Sequence, residues 1–218
     1  MSDERRRLTR EGVLTEALDL IDADGLDALT MRNLSDRLGV VPMALYRHVR
    51  NKDDLMEGVL DQAVARVEIP GPGLGWREGL AALARSIRAT MLRHPAVAAR
   101  VIDRPSLGPA SLVVGEYGLG LLRDAGFDDA TAEHGLNLVL VYTLGFVALE
   151  VPRLPGTTGA ATLTQADLDR SYDDLPTEAF PHTVAVRPQA HALVSEEQFD
   201  FGVACILDGV GQRRATPL

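Results

Sequence analysis

The chain is nearly without cysteine, lysine and tryptophan: it has one of each, Cys205, Lys52 and Trp76, in 218 residues. A single cysteine excludes an internal disulfide and suits a reducing compartment. Free cysteine behaves as a small apolar residue, so Cys205 is read as a core position. The lone lysine among 22 basic residues reflects genome composition rather than function. Aromatic residues are 5% of the chain, so its core must be built mainly of leucine, valine and alanine. No segment alternates polar and apolar residues over a strand's length, which argues against a sheet. No apolar run reaches the roughly 20 residues of a membrane span. The most apolar stretch, Leu136 to Val151, is interrupted by Asn137, Tyr142, Thr143 and Glu150. No apolar run follows Arg5, Arg6 and Arg7, so no signal peptide is read and a cytoplasmic protein is expected. The five histidines lack metal-ligand spacing and Cys205 has no evident base partner. Gly115 to Gly120 superficially resembles a glycine-rich phosphate loop, but no strand precedes it. No metal, cofactor or catalytic activity is expected.

What the chain does have is a patterned segment from Leu29 to Lys52. Thr30 is an N-cap type, whose hydroxyl accepts from an unpaired helix N–H. Leu34 and Leu38 then recur on one helical face, and Gly39 follows where a helix commonly stops. Val40 can pack between two helices, and Pro42 suits a first helical position. Leu45 and Val49 form an inward face, leaving Met43, Ala44, Arg47 and His48 outward. Within this segment Arg32, Arg37, Arg47, Arg50 and Lys52 face a single acid, Asp36, in a chain whose net charge is −9. A basic patch on an acidic protein can neutralise phosphates and orient the protein on a duplex. The pattern predicts a helix-turn-helix with its second helix in the major groove. Arg32, Arg47 and Lys52 are the candidate phosphate neutralisers, with Arg32 or Arg47 alternatively reading guanine. Tyr46 and Thr30 can donate to phosphate oxygens, and Met43 and Ala44 can touch a thymine methyl. Tyr46 and His48 have a packing role as their alternative. The arm from Met1 to Arg7 is either a minor-groove contact or a disordered tail.

Three pieces of this segment resemble the DNA-binding domain of the TetR family of bacterial regulators: Leu29 to Leu34, the turn Leu38 to Val40, and Leu45 to Val49 followed by Asn51 to Leu55. The helix before it, from Leu8 through Gly25 and Leu26, is similar too. The likeness is specific over about residues 8 to 60. Further on, Arg104 with Pro105 and Tyr142 to Gly145 resemble the regulatory domain of the tetracycline-repressor branch. The resemblance implies an all-α protein: a three-helix reading domain at 1–68 and a larger helical ligand-binding and dimerisation domain at 74–218. It implies a homodimeric repressor, released from a palindromic operator by a small organic effector. An activator, or a DNA-binding dimer without any small ligand, is the alternative. Pro42, Met43 and Met31 stand where the tetracycline repressor is more polar, so a different operator is expected.

Periodicity extends the reading to about ten helices. The first spans about Thr9 to Ala23, and the fourth about Lys52 to Val67, linking the reading element to the second domain. Pro70 to Gly73 marks the boundary. Helices follow at about Gly75 to Arg93, stopped by His94 and Pro95, and at Ala110 to Ala125. Leu136 to Val151 is apolar nearly all round, which suggests one face in the core and one against a partner subunit. The last helix, about Ser195 to Gln212, begins with a capping pattern at Ser195 and Gln198. These two helices are expected to form a four-helix dimer interface. Between them, Pro152 to Val194 is a lid, a dimer contact or disordered, with a short helix at Gln165 to Asp174.

The effector site departs from the tetracycline repressor. No histidine lies between Arg100 and Arg104, Leu83 and Ile87 stand where that repressor has asparagine and phenylalanine, and Glu150 is one residue out of place. A largely apolar pocket is expected between the helices at 75–93, 110–125 and 136–151. Its polar or aromatic candidates are Trp76, Arg104, Asn137, Tyr142 and Glu150.

Overall fold

Five side chains start helices by satisfying an N–H that no earlier turn can reach. Thr9 accepts from Gly12 N at 3.0 Å, Thr30 from Asn33 N at 3.0 Å and Asn51 from Asp54 N at 2.8 Å. Asp128 accepts from Thr131 N at 2.9 Å and Ser195 from Gln198 N at 3.1 Å. The computed structural model describes residues 8–103, 108–154, 170, 173, 175–186 and 194–214. Among them are ten α-helices and no strand. They are α1 Arg10–Asp24, α2 Met31–Leu38, α3 Pro42–Leu45, α4 Lys52–Val64 and α5 Trp76–Arg93. Then come α6 Pro95–Asp103, α7 Pro109–Asp124, α8 Asp129–Glu150, α9 Pro181–Val186 and α10 Glu196–Arg213.

The turn between α2 and α3 forms as its residues require. Gly39 has φ +65°, a conformation in which a side chain is costly. Val40 N then donates to Ser35 O at 3.0 Å, closing the helix end. Val40 packs against the core from this position. The third helix is shorter than the spacing suggested. Four residues are α-helical, after which Arg47 N reaches back to Ala44 O and His48 N to Leu45 O in tighter i→i−3 bonds. Val49 N still bonds Leu45 O at 3.0 Å, so Leu45 and Val49 point inward together.

One apolar cluster runs from Val13 in α1 to Val210 in α10. The central helix is α8, packed against α10, α5 and α7. It starts seven residues before the apolar stretch, at Asp129. Its buried residues share the core, whereas Leu138, Val141 and Leu149 are exposed. Residues Asp129–Arg153 are long and apolar enough to cross a membrane, but here one side of the helix is packed inside the protein. Cys205 corrects its sequence reading: it is exposed on α10, on the side turned away from the core residues Val203, Leu207 and Val210. Position along the chain gives the residue type, but the rotation of α10 decides its face. The helix expected at Gln165 to Asp174 and the arm from Met1 to Arg7 lie outside the described residues, apart from Arg170 and Asp173.

Three polar contacts fasten α1 and α4: α1 to the end of α5, α1 to the turn after α4, and α4 to α7. His94 Nδ1 lies 2.7 Å from Asp22 Oδ2, Arg66 Nη2 reaches Asp19 at 3.3 Å, and Ala110 N donates to Asp61 Oδ1 at 3.0 Å. The last of these caps α7 with a carboxylate from α4.

Tyr117 on α7 has a buried hydroxyl with no hydrogen-bond partner among the described residues. Burial alone pushes its ionisation up. An unmade buried hydrogen bond costs about 1–3 kcal/mol. Tyr117→Phe is therefore expected to raise the unfolding temperature, measured by circular dichroism; a fall would show that the hydroxyl is satisfied in solution.

Candidate nucleic-acid interface and effector cavity

The surface formed by α2, α3, the turn after α3 and the first residue of α4 carries every residue that the sequence marked for DNA. Thr30, Arg32, Pro42, Arg47 and Lys52 are exposed, as are Met43 at 72% and Tyr46 at 48%. Met31, Ala44 and His48 are half-buried on the same element. Beneath them Leu34, Leu45, Val49 and Leu55 are buried, so the outward face is held by an apolar floor. The Thr30 oxygen accepts from Asn33 N, which leaves its proton to donate elsewhere.

Charge is distributed less evenly than the sequence count implies. Arg37 is taken by Glu16 and, at 3.8 Å, by Asp24. Arg50 lies 3.6 Å from Asp54. Arg32, Arg47 and Lys52 make no ion pair among the described residues. Among the described residues from Thr30 to Lys52, these three are the cations left without an acidic partner.

Asp54 organises the end of the reading turn, a role that no sequence signal marked. Its carboxylate accepts from Arg50 N at 2.7 Å and from Arg10 Nη2 at 3.0 Å. Arg10 Nη1 also donates to His48 O at 2.7 Å. One carboxylate and one guanidinium thus tie the turn to α1 and α4. The backbone N–H of Arg50, then the Arg10 side chain, hold the Asp54 carboxyl below the usual aspartate range. A depressed folded-state pKa stabilises the fold above the ordinary aspartate value, and that contribution is lost as pH falls below it. Asp54→Asn keeps the shape but removes the charge. Hydrogen bonds to a charged group are worth about 1.5–3 kcal/mol. We expect operator affinity to fall about ten-fold or more by the same scale, with the acid limb of the unfolding curve flattened. Unchanged affinity in an anisotropy titration would remove Asp54 from this role.

Among the described residues, the helices beyond line a smaller and a larger concavity. The smaller, about 150 Å³, lies between α4, α5, α6, α7 and α8. Val64, Ile87, Met91, Val114, Leu140 and Leu144 form most of its wall. Ser111 is its one polar side chain among the described residues. The lining helices include the three that the sequence named, but the named side chains stand elsewhere. Asn137 is exposed on the outer face of α8 and bonded to Glu133. Tyr142 donates to Gln198 O or Phe199 O at 3.1 and 3.2 Å and stacks on Phe199 with centroids 5.7 Å apart. Glu150 accepts two hydrogen bonds from Arg88, at 2.7 and 2.5 Å. Trp76 borders the second concavity, and Arg104 lies outside the described residues. The lining of this cavity was hard to find in sequence because Leu140 and Leu144 show the same spacing as core residues. A search for polar anchors favours Tyr142 and Glu150, which the fold uses for its own packing.

Two family models match the chain. The family model of bacterial regulatory proteins of the tetR family matches residues 13–59, and that of the tetracyclin repressor-like C-terminal domain matches residues 69–214. A transcriptional regulator of helix-turn-helix type from Saccharopolyspora erythraea is 35% identical over 144 residues, 66% of this chain and 61% of that protein. The class A tetracycline repressor from transposon 1721 of Escherichia coli is 31% identical over 95% of this chain and 93% of its own length. The crystal structure of the TetR family protein ActR from Streptomyces coelicolor with actinorhodin has a TM-score of 0.81 at 33% identity, covering 95% of this chain and 98% of that one.

Proposed function

The chain belongs to the TetR family of bacterial regulatory proteins, and from that premise we propose that it is a homodimeric repressor released from its operator by a small organic effector. As a family member it is a transcriptional regulator. We assign reading to residues 1–68 and effector binding and dimerisation to 74–218. Arg32, Arg47 and Lys52 neutralise phosphates, and Thr30 and Tyr46 donate to phosphate oxygens. Met31, Pro42, Met43 and Ala44 make apolar contacts at the groove, where a thymine methyl is the natural partner. His48 closes the reading turn.

The observation that carries this reading is α4. Lys52 and Asp54 stand at its start, beside the reading turn, and Val64 at its end lines the cavity. At 1.5 Å per residue these ends are about 18 Å apart on one rigid element. A ligand that displaces the α4 end must therefore move the reading turn. Two turns on a two-fold dimer must meet half-sites about 34–36 Å apart, so a shift of a few ångströms forfeits one of them. A differential affinity of about 5.5 kcal/mol between the two spacings would invert the population. The relatives' names point to tetracycline and actinorhodin as ligands of those proteins. Here the wall calls for an apolar body with one polar group facing Ser111. A cavity of about 150 Å³ is smaller than the roughly 300–1,000 Å³ of drug-sized sites, so a larger effector would widen it on binding.

Dimerisation is supported by two exposed apolar stripes. Leu138, Val141 and Leu149 are exposed on α8 and Phe201 and Cys205 on α10, two helices packed side by side. A patch of this kind is self-complementary about a two-fold axis.

Fluorescence anisotropy with DNA from the chain's own upstream intergenic region, at stepped salt, tests the reading. Saturable binding that survives competitor DNA and weakens linearly in log salt is expected. Competitor-sensitive binding alone, with no sequence enriched from a random library, would reject it.

A further inference from the structure

The second concavity is a larger cleft at the far end of α5 from the reading head. Its volume is about 550 Å³, within the roughly 300–1,000 Å³ of small-molecule sites. It lies between the loop at Pro72 to Gly75, the first turn of α5 and the second half of α7. The Gly115 to Gly120 run, which the reading head and the inner cavity leave unexplained, supplies its floor. A Cβ built on Gly120 would meet no atom within 4 Å, and the same holds at Gly73 and Gly75. Missing side chains keep the cleft open.

Glu116, Gly120 and Asp124 are spaced by four and so share one face of α7. A carboxylate therefore stands on each side of the glycine gap, and neither makes an ion pair among the described residues. Nearby acids do pair: Asp208 with Arg77 and Asp129 with Arg123. The walls are the rings of Trp76 and Tyr117. The Trp76 ring already holds one cation, the Arg77 guanidinium, 4.7 Å from its centroid.

Two unpaired carboxylates, two aromatic rings and an unfilled glycine floor select one kind of guest: positive in charge and apolar in body. We propose that this cleft is a second ligand site, separate from the α4–α8 cavity, and that it binds small organic cations of aromatic or otherwise apolar character. The rings take the body by apolar and cation–π contact. The carboxylates set the sign of the charge.

Trp76 is the chain's single tryptophan, so its emission reports on this cleft directly. The probe is tetraphenylphosphonium, compared with neutral triphenylphosphine oxide, on the full chain. Tetraphenylphosphonium is expected to shift Trp76 emission saturably and to bind at least about five-fold more tightly than the neutral probe. Glu116→Gln with Asp124→Asn should abolish that preference while leaving the circular dichroism spectrum unchanged. Gly120→Leu, whose side chain enters open space and favours helix, should block both probes. A filling substitution in the inner cavity, Ser111→Leu, should change neither affinity. Equal binding of the two probes, cation binding indifferent to the carboxylates or to Gly120→Leu, or no emission change would each overturn the proposal.

Discussion

Val141→Glu is expected to give a folded monomer that binds operator DNA at least about a hundred-fold more weakly than the parent chain. Val141 is 70% exposed, so a glutamate there costs the single subunit nothing in packing. Its neighbours on the same side of α8 are Leu138 and Leu149, and the adjoining helix α10 exposes Phe201 at 64%. If these residues meet their two-fold copies, the substitution buries two like charges in a dry contact. Unpaired buried charges cost several kcal/mol each, enough to separate the subunits. The loss of DNA affinity follows from connection alone. A second reading head tethered to the first binds at high effective concentration, a gain of about 10²–10⁴ that a monomer forgoes. Val113→Glu, at an apolar position on α7 that is 58% exposed, is the control and should leave mass and affinity unchanged. Mass in solution at micromolar concentration and anisotropy together decide it. A Val141→Glu dimer, or a monomer with undiminished affinity, would reject the interface.

Glu150→Ala should destabilise the subunit by about 3–5 kcal/mol, the cost of removing one partner from a buried ion pair. The side chains of Arg88 and Glu150 are only 16% and 11% exposed and meet through two parallel hydrogen bonds. The Arg88 guanidinium also lies 5.0 Å from the Phe199 ring centroid and 5.8 Å from that of Phe146. Glu150, through its hydrogen bonds, raises the Arg88 pKa against the opposing effect of burial. An arginine stays protonated in proteins, so when its partner is cut away the guanidinium keeps its charge in a site where it is only 16% exposed. The paired replacement Arg88→Met with Glu150→Leu removes both charges and should cost much less, because well-packed apolar pairs often match a buried ion pair. Urea denaturation of the three variants separates these outcomes. A mild Glu150→Ala would show that water reaches the guanidinium.

The outward face of α2 and α3 was largely legible in the sequence, and the lining of the cavity between α4 and α8 was not. The same kind of pattern led to both, since apolar residues at helical spacing mark an inward face. In α2 and α3 that face has only one place to go, under the turn, so the residues left over are the outward ones. In α5, α7 and α8 an inward residue can fill the core, line a cavity or meet a partner, and spacing does not distinguish these. Tyr142 and Glu150 illustrate the difficulty. As polar residues in an apolar helix they looked like ligand anchors, yet the structure uses one to hold α10 and the other to hold α5.

What the sequence determined by itself is local. The caps at Thr9, Thr30, Asn51, Asp128 and Ser195, the left-handed Gly39 and the placement of Pro42 each depend on atoms within about four residues, the reach of one helical turn. The family likeness has the same origin, because its motifs are turns and caps. Only the tertiary structure decided which charges remain for DNA, where α4 is anchored and where the open spaces lie. Those outcomes join Arg10 to Asp54 across 44 positions, Arg88 to Glu150 across 62 and Asp22 to His94 across 72. Contacts at such separations depend on the rotation and crossing of whole helices. A rotation of one residue along α10 turns a core position such as Val203 into an exposed one such as Ala204, and the local spacing of residue types leaves that choice to packing.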